Sequence, residues 1–136
     1  MSYRSIILLV VSVLNLVYQQ GLIPGVVVTP APIDVPGLHV LIVEESGDRN
    51  TVDKGQLSVL QTTLVKQEVV ASGGEYRMYD ANEPPVEEPW RTAMERPRTS
   101  LPWLIVSNPG KGGFEGPVPA GDGAIDATLK IIGGLK

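Results

Sequence analysis

A proline that opens an uninterrupted apolar run constrains the fold of this chain more than any other feature. Pro102 precedes Trp-Leu-Ile-Val at residues 103–106, and a Gly- and Pro-rich turn follows at residues 108–113. An apolar run of aromatic and β-branched residues is typical of a strand that is buried on both faces. Because a proline inside a central strand would remove a ladder hydrogen bond, Pro102 predicts the first position of that strand. The turn residues tolerate positive φ, which predicts a hairpin with a second strand over residues 114–118.

This stretch also predicts the conformation of the Leu101–Pro102 peptide bond. X-Pro is the only common place for a cis peptide bond. We expect a cis bond there, lying beside the loop that contains Ser46. Pro117 and Pro119 mark the returning strand as an edge strand or a strand end.

The remaining elements follow from hydrophobic periodicity and from capping residues. Asp53, with Gln56 three residues later, has the pattern of a helix N-cap and its capping-box partner. Gly and Pro residues separate the apolar-periodic segments. The predicted order is a strand at 38–43, a polar loop at 44–50, a helix at 53–71, a strand at 75–80, a helix at 87–95, the two strands described above, and a last helix from about Asp122.

This order predicts an α/β fold. Strands that are joined through helices are expected to cross over and pair in parallel, and the last two strands to close as an antiparallel hairpin. The result is a mixed sheet of about four strands with helices on both faces.

The composition excludes several kinds of chemistry. The chain has 136 residues, enough for one ordinary domain, and no cysteine, which excludes disulfides, thiolate metal sites and cysteine redox chemistry. His39 is the single histidine, so we expect no metal site and no cofactor. The net charge of −4, without a basic block, argues against nucleic acid as a partner.

The N-terminal segment, residues 1–22, has the outline of a targeting sequence. Arg4 precedes an apolar run over residues 6–18, which resembles a secretory signal and is short for a membrane span of about 20 residues. Gln19 and Gln20 stand where a cleavage site needs small residues. The alternative is an apolar element that packs on the domain or on a neighbouring subunit.

Two locations follow from these alternatives. If residues 4–18 act as a signal, the protein is exported or membrane-associated, in the periplasm or outside the cell; otherwise it is part of a larger assembly. We expect membrane or assembly contacts through residues 5–28. Residues 23–37 carry four prolines and predict an extended linker. Residues 38–136 form the expected domain, which should fold without the first 30 residues.

Three pieces of the sequence resemble the thioredoxin-like family. They are residues 38–43 with the polar loop and long helix after them, residues 75–82 with their Asp-x-Asn turn, and residues 100–106 with the glycines at 110, 112 and 113. The likeness covers about residues 38–135 and implies a three-layer α/β/α arrangement. The family's Cys-x-x-Cys is missing, because the corresponding loop is Glu-Glu-Ser-Gly-Asp-Arg-Asn-Thr-Val at residues 44–52. The family's redox activity is therefore not carried over.

The candidate site lies at the end of the first predicted strand, where open α/β sheets bind ligands. Glu44, Glu45 and Asp48 make that loop acidic, which suits a solvated loop, acid–base chemistry or a cation site. Ser46 is a poor nucleophile candidate because the only histidine lies within a strand. We predict a groove between this loop and the proline, in which an extended peptide pairs with the backbone. The predicted groove residues are Glu45, Ser46, Asp48, Leu101, Pro102 and Trp103, with no catalytic residue among them.

Two functions remain open at this point. The first is a non-catalytic thioredoxin-like binding or structural module with a protein or peptide partner. Its N-terminal segment would export it, anchor it in a membrane or build it into an assembly such as a viral particle. The alternative is an enzyme with non-cysteine chemistry in the loop at residues 44–48.

Overall fold

The computed structural model describes residues 29–136. These residues form a mixed four-stranded sheet with helices, which confirms the α/β class. The elements in chain order are β1 (His39–Glu44), a 3-10 helix (Ser46–Thr51), α1 (Lys54–Gln61), α2 (Leu64–Ala71), β2 (Glu75–Asp80), α3 (Trp90–Met94), β3 (Trp103–Asn108), β4 (Gly112–Pro117) and α4 (Ala124–Gly133).

The strand order in the sheet is β2-β1-β3-β4. β1 pairs in parallel with β2, with Val43 opposite Tyr79, and antiparallel with β3, with Val43 opposite Trp103. β3 and β4 form the predicted antiparallel hairpin. The apolar runs at residues 38–43 and 103–106 therefore lie in the two central strands, and the Pro-containing β4 lies at an edge, as the sequence predicts.

The expected parallel pairing of every helix-linked strand is wrong for β3. The chain leaves β2 and enters β3 at the same end of the sheet, since Tyr79 and Trp103 both lie opposite Val43. The helix between them, α3, has only five residues and spans roughly 7 Å. A six-residue strand is about 20 Å long, so α3 does not return the chain to the far end, and β3 runs antiparallel to β1.

The side chains of the central strands alternate between two apolar clusters, one on each face of the sheet. Val40 and Ile42 of β1 join residues of α1, α2 and α4 in the larger cluster. Leu41 and Val43 point the other way, toward α3, where Trp90 is almost fully buried. Every residue of β1 is buried, as is typical of a central strand in such a sheet.

The helix that the sequence predicts over residues 53–71 is two helices, α1 and α2, separated at Thr62 and Thr63. Thr62 has an extended backbone, with φ −77° and ψ 148°. Its Oγ1 accepts a hydrogen bond from the amide of Leu64 at 3.1 Å. Threonine side chains that bond to nearby backbone groups compete with helical hydrogen bonds, and here this competition ends α1 and starts α2.

The predicted linker is docked on the domain over the part that the structure describes. The amide and carbonyl of Thr29 pair with Gly113 of β4 at 3.0 and 2.6 Å. The side chain of Ile33 is buried, and Ser107 Oγ accepts from its amide and donates to its carbonyl, both at 3.0 Å. Thr29 and Ile33 are thus hydrogen-bonded to strands of the sheet. The rest of the N-terminal predictions lie outside the described residues.

Candidate functional site

A pocket with a volume of about 380 Å³ opens at the carboxyl end of β1. It lies between the 3-10 helix and first turn of α1 on one side and the turn that enters β3 on the other. Of the predicted groove residues, Glu45, Asp48, Leu101 and Pro102 line it. The full lining is Glu44, Glu45, Asp48, Thr51, Val52, Asp53, Gln56, Leu60, Leu101 and Pro102.

Glu44 is a buried carboxylate among the acidic residues that line the pocket. Its carboxylate accepts two hydrogen bonds from the Arg49 guanidinium, Nε and Nη2, at 2.7 Å each. These bonds raise the pKa of Arg49, and Arg49 itself is 42% exposed. Burial, with a smaller contribution from the Glu44 charge, raises the pKa of Tyr76 to about 12. Glu44 is therefore a paired structural charge rather than a free base.

Asp53 joins the pocket wall to the loop that precedes α4. Its Oδ1 accepts hydrogen bonds from the amide of Gly121 at 2.8 Å and from that of Gln56 at 3.1 Å. These bonds, with Gly121 first, lower the pKa of Asp53. The predicted N-cap is thus confirmed. The predicted capping-box partner acts differently, because Gln56 Nε2 donates to the carbonyl of Val118 at 2.8 Å.

Leu101 and Pro102 form the opposite wall. Their peptide bond is cis, as the sequence predicts. The carbonyl of the buried Pro102 accepts from the amide of Val118 at 3.0 Å. The last residue pair between β1 and β3 is Val43 with Trp103, and β1 ends at Glu44. Leu101 precedes Trp103 by two residues and therefore lies outside the paired part of these strands. Within residues 29–136, the backbone N–H and C=O of Leu101 take no hydrogen bond, and the residue is 37% exposed.

Ser46 was predicted for the groove and lies elsewhere. Its Oγ donates to Asp80 Oδ2 at 2.6 Å, and its amide donates to the same atom at 2.9 Å. Asp80 also accepts from the amide of Asn82 at 2.8 Å. The Ser46 hydroxyl, followed by these backbone donors, lowers the pKa of Asp80. Asp80 is consequently a weak base, and the pair ties the 3-10 helix to the end of β2.

Trp103 is the second predicted groove residue that does not line the pocket. It packs in the apolar cluster with Trp90 and Met94. Its indole Nε1 is buried and has no hydrogen-bond partner in the described part of the chain. The side chain faces the opposite layer because residues along a strand alternate between the two faces of the sheet.

The sequence carries a signal for some of the residues at or near the pocket that the predicted groove does not include. Asp53 and Gln56 were recognised as capping residues, and a helix that follows directly after the end of a strand presents its first turn at that end of the sheet. Asp80 follows from the predicted parallel pairing of β1 and β2, which brings their carboxyl ends together. Thr51, Val52 and Leu60 had no such signal.

His39, the single histidine of the chain, lies away from the pocket lining. His39 is buried, with its ring centroid 5.6 Å from that of Trp90, as expected for a packed strand residue. No group of three His, Asp or Glu side chains within residues 29–136 is placed to hold a metal ion. The same stretch has no helix that is both long and apolar enough to span a membrane.

Comparisons with protein-family models, with curated proteins and with solved structures found no match. A function for this chain therefore has to be argued from the pocket and from the sequence.

Proposed function

We propose that this protein is a non-catalytic binding module with a thioredoxin-like, three-layer fold. Its partner is a protein or peptide that occupies the pocket beside Leu101. The N-terminal segment, residues 1–22, attaches the module to a membrane or to an assembly such as a viral particle, or directs its export. Export places the domain in the periplasm or outside the cell.

The order of elements supports the thioredoxin-like assignment. The central β1 and β3, the parallel β1–β2 pair and the closing β3–β4 hairpin agree with the pieces on which the resemblance rests. The chain lacks cysteine, so thiol–disulfide exchange is excluded and binding is the part of the family's behaviour that this sequence can retain.

The observation that carries the binding function is that Leu101 lines the pocket and that, among residues 29–136, its backbone N–H and C=O take no hydrogen bond. A peptide segment in extended conformation gains affinity by pairing its main chain with unpaired N–H and C=O groups. Leu101 offers both groups beside a pocket of about 380 Å³, which lies within the size range of small-ligand and peptide side-chain sites. The partly apolar lining, with Val52, Leu60 and Pro102, accepts a side chain of the same peptide.

The enzyme alternative has no observation in its favour. Ser46 and Asp80 are hydrogen-bonded at 2.6 Å, but the low pKa of Asp80 makes it a poor acceptor for the serine proton. The histidine that could serve as a base, His39, is buried at the other end of β1.

Photo-crosslinking in the producing cells tests the binding function. A crosslinking amino acid at Leu101 should give one adduct of defined mass, and the same group at Val70, which is 57% exposed, should not. Thr51→Trp fills the pocket and should remove the adduct. Thr63→Trp alters an equally exposed threonine outside the pocket and should retain it.

The Ser46→Ala/Asp80→Asn double variant separates binding from chemistry. The adduct and the cellular readout should persist in this variant, whereas deletion of residues 2–28 should change the protein's distribution after cell fractionation. A readout that is lost with the double variant and kept after the deletion would favour the enzyme. An identical adduct at Leu101 and Val70 would contradict the pocket.

A further inference from the structure

The charge of the pocket wall is one-sided. Arg49 pairs with Glu44, which leaves three carboxylates, and within residues 29–136 no lysine or arginine lines the pocket. The hydrogen bonds to Asp53 stabilise its ionised form. Glu45 is half-buried and Asp48 is exposed. The remaining acidic wall consists of Glu45, Asp48 and Asp53.

The pocket lining also contains apolar residues. Leu60 and Pro102 are buried, Val52 is half-buried and Leu101 is exposed. Lysine and arginine have an aliphatic stem that packs on apolar surface while the charged head stays in water or beside a carboxylate. A pocket lined by both apolar residues and carboxylates matches such a side chain.

From this combination we infer that the partner segment is an extended peptide that carries lysine or arginine. Its main chain pairs with Leu101, its cationic side chain lies along Val52 and Leu60, and the charged group faces Glu45 and Asp48. This inference rests on the proposed binding function and specifies its ligand. Nucleic acid and acidic peptides are disfavoured, because their negative charges would face the same carboxylates.

Exposed carboxylates act on a ligand mainly through screened attraction, so the selectivity should depend on salt. The Debye length is about 10 Å at 0.1 M ionic strength and about 3 Å at 1 M. Removing the two ion pairs at Glu45 and Asp48 should weaken the binding of a basic peptide by about 2- to 30-fold at low salt. The difference should shrink at high salt.

A random octapeptide library displayed on phage tests the inference against the full-length protein. The test variant is Glu45→Gln/Asp48→Asn, which keeps the side-chain shapes. The control is Asp122→Asn/Asp126→Asn, which removes two exposed charges beside the start of α4, away from the pocket. We expect the parent and the control to enrich peptides rich in lysine and arginine, and the test variant to lose that enrichment.

Each outcome decides a different point. Enriched peptides without a positive charge bias, but with amide chemical-shift changes at Leu101, would overturn the basic-ligand inference and leave the binding function standing. Basic peptides enriched equally by all three proteins would also overturn it, since they would then bind outside the pocket. A library with no enriched peptide would count against the binding function itself.

Discussion

Two helical glycines make opposite predictions for the same substitution. Gly55, in the first turn of α1, packs directly on the backbone of the loop before α4: a Cβ at this position would lie 2.0 Å from the carbonyl oxygen of Gly121. Gly133, at the end of α4, has nothing within 4 Å of its would-be Cβ. Alanine has a higher helix propensity than glycine at both positions, so only the tertiary contact distinguishes them.

The expected change in the free energy of unfolding for Gly55→Ala follows from that contact. Real Cβ atoms essentially never come closer than 3.0 Å to such a neighbour, so the loop at Gly121 has to move by roughly 1 Å. The neighbour is backbone and cannot rotate away, and overpacking of this kind costs about 1–3 kcal/mol. The propensity gain offsets at most about 1 kcal/mol. We expect a net loss of about 1–2 kcal/mol, or a Tm lower by about 5–10 °C for a domain of this size.

Urea unfolding followed by circular dichroism measures both variants against the parent. Gly133→Ala should gain about 0.5 kcal/mol from propensity alone. The displacement in Gly55→Ala should also appear as amide chemical-shift changes at Gly121 and Asp53, which are hydrogen-bonded in the parent. If Gly55→Ala is as stable as the parent, or gains as much as Gly133→Ala, the close approach of α1 to this loop is wrong.

Four further predictions concern the edges of the fold and its chemistry. A chain that begins at residue 29 should keep its fold, whereas one that begins at residue 38 loses the buried Ile33 side chain and about 2 kcal/mol in urea unfolding; equal stabilities would contradict the docking of this segment. Ser107→Ala leaves the backbone N–H and C=O of the buried Ile33 unpaired, which should lower the free energy of unfolding by about 2 kcal/mol. Hydrogen exchange at the Ile33 amide should become faster, and an unchanged exchange rate would refute this prediction. The pKa of Tyr76 is raised in the folded state, so the stability it contributes is present below pH 10 and is lost as the pH rises toward 12. An ultraviolet titration of the parent should show a tyrosine step near pH 12 that Tyr76→Phe removes; identical titration curves for the parent and the variant would show that Tyr76 is not shielded. Insulin reduction with dithiothreitol should stay at background, since the chain has no thiol, and any rate that depends on this protein would contradict the reading.

The local sequence was sufficient for the elements whose pattern depends on near neighbours. The two uninterrupted apolar runs predicted the central strands β1 and β3, and the alternating run predicted β2 at the same bounds as the structure. Asp53 was recognised as a cap because a capping residue and its helix lie within one turn of each other. The position of Pro102 before its strand likewise depends only on a missing donor in the backbone.

Tertiary structure decided the features that depend on residues far apart in the chain. The antiparallel direction of β3 follows from the connection after β2, whose five-residue helix α3 does not return the chain to the far end of the sheet; a hydrophobic pattern does not record this. Ser46 turned away from the groove because Asp80, 34 residues later, offers its carboxylate, and Trp103 turned to the opposite face because of the register of β3 against β1. Composition and periodicity determine which segments become strands and helices, since those forces act within a few residues. The pocket forms where the 3-10 helix, the first turn of α1 and the turn that enters β3 meet. Tertiary packing therefore determines which side chains line it.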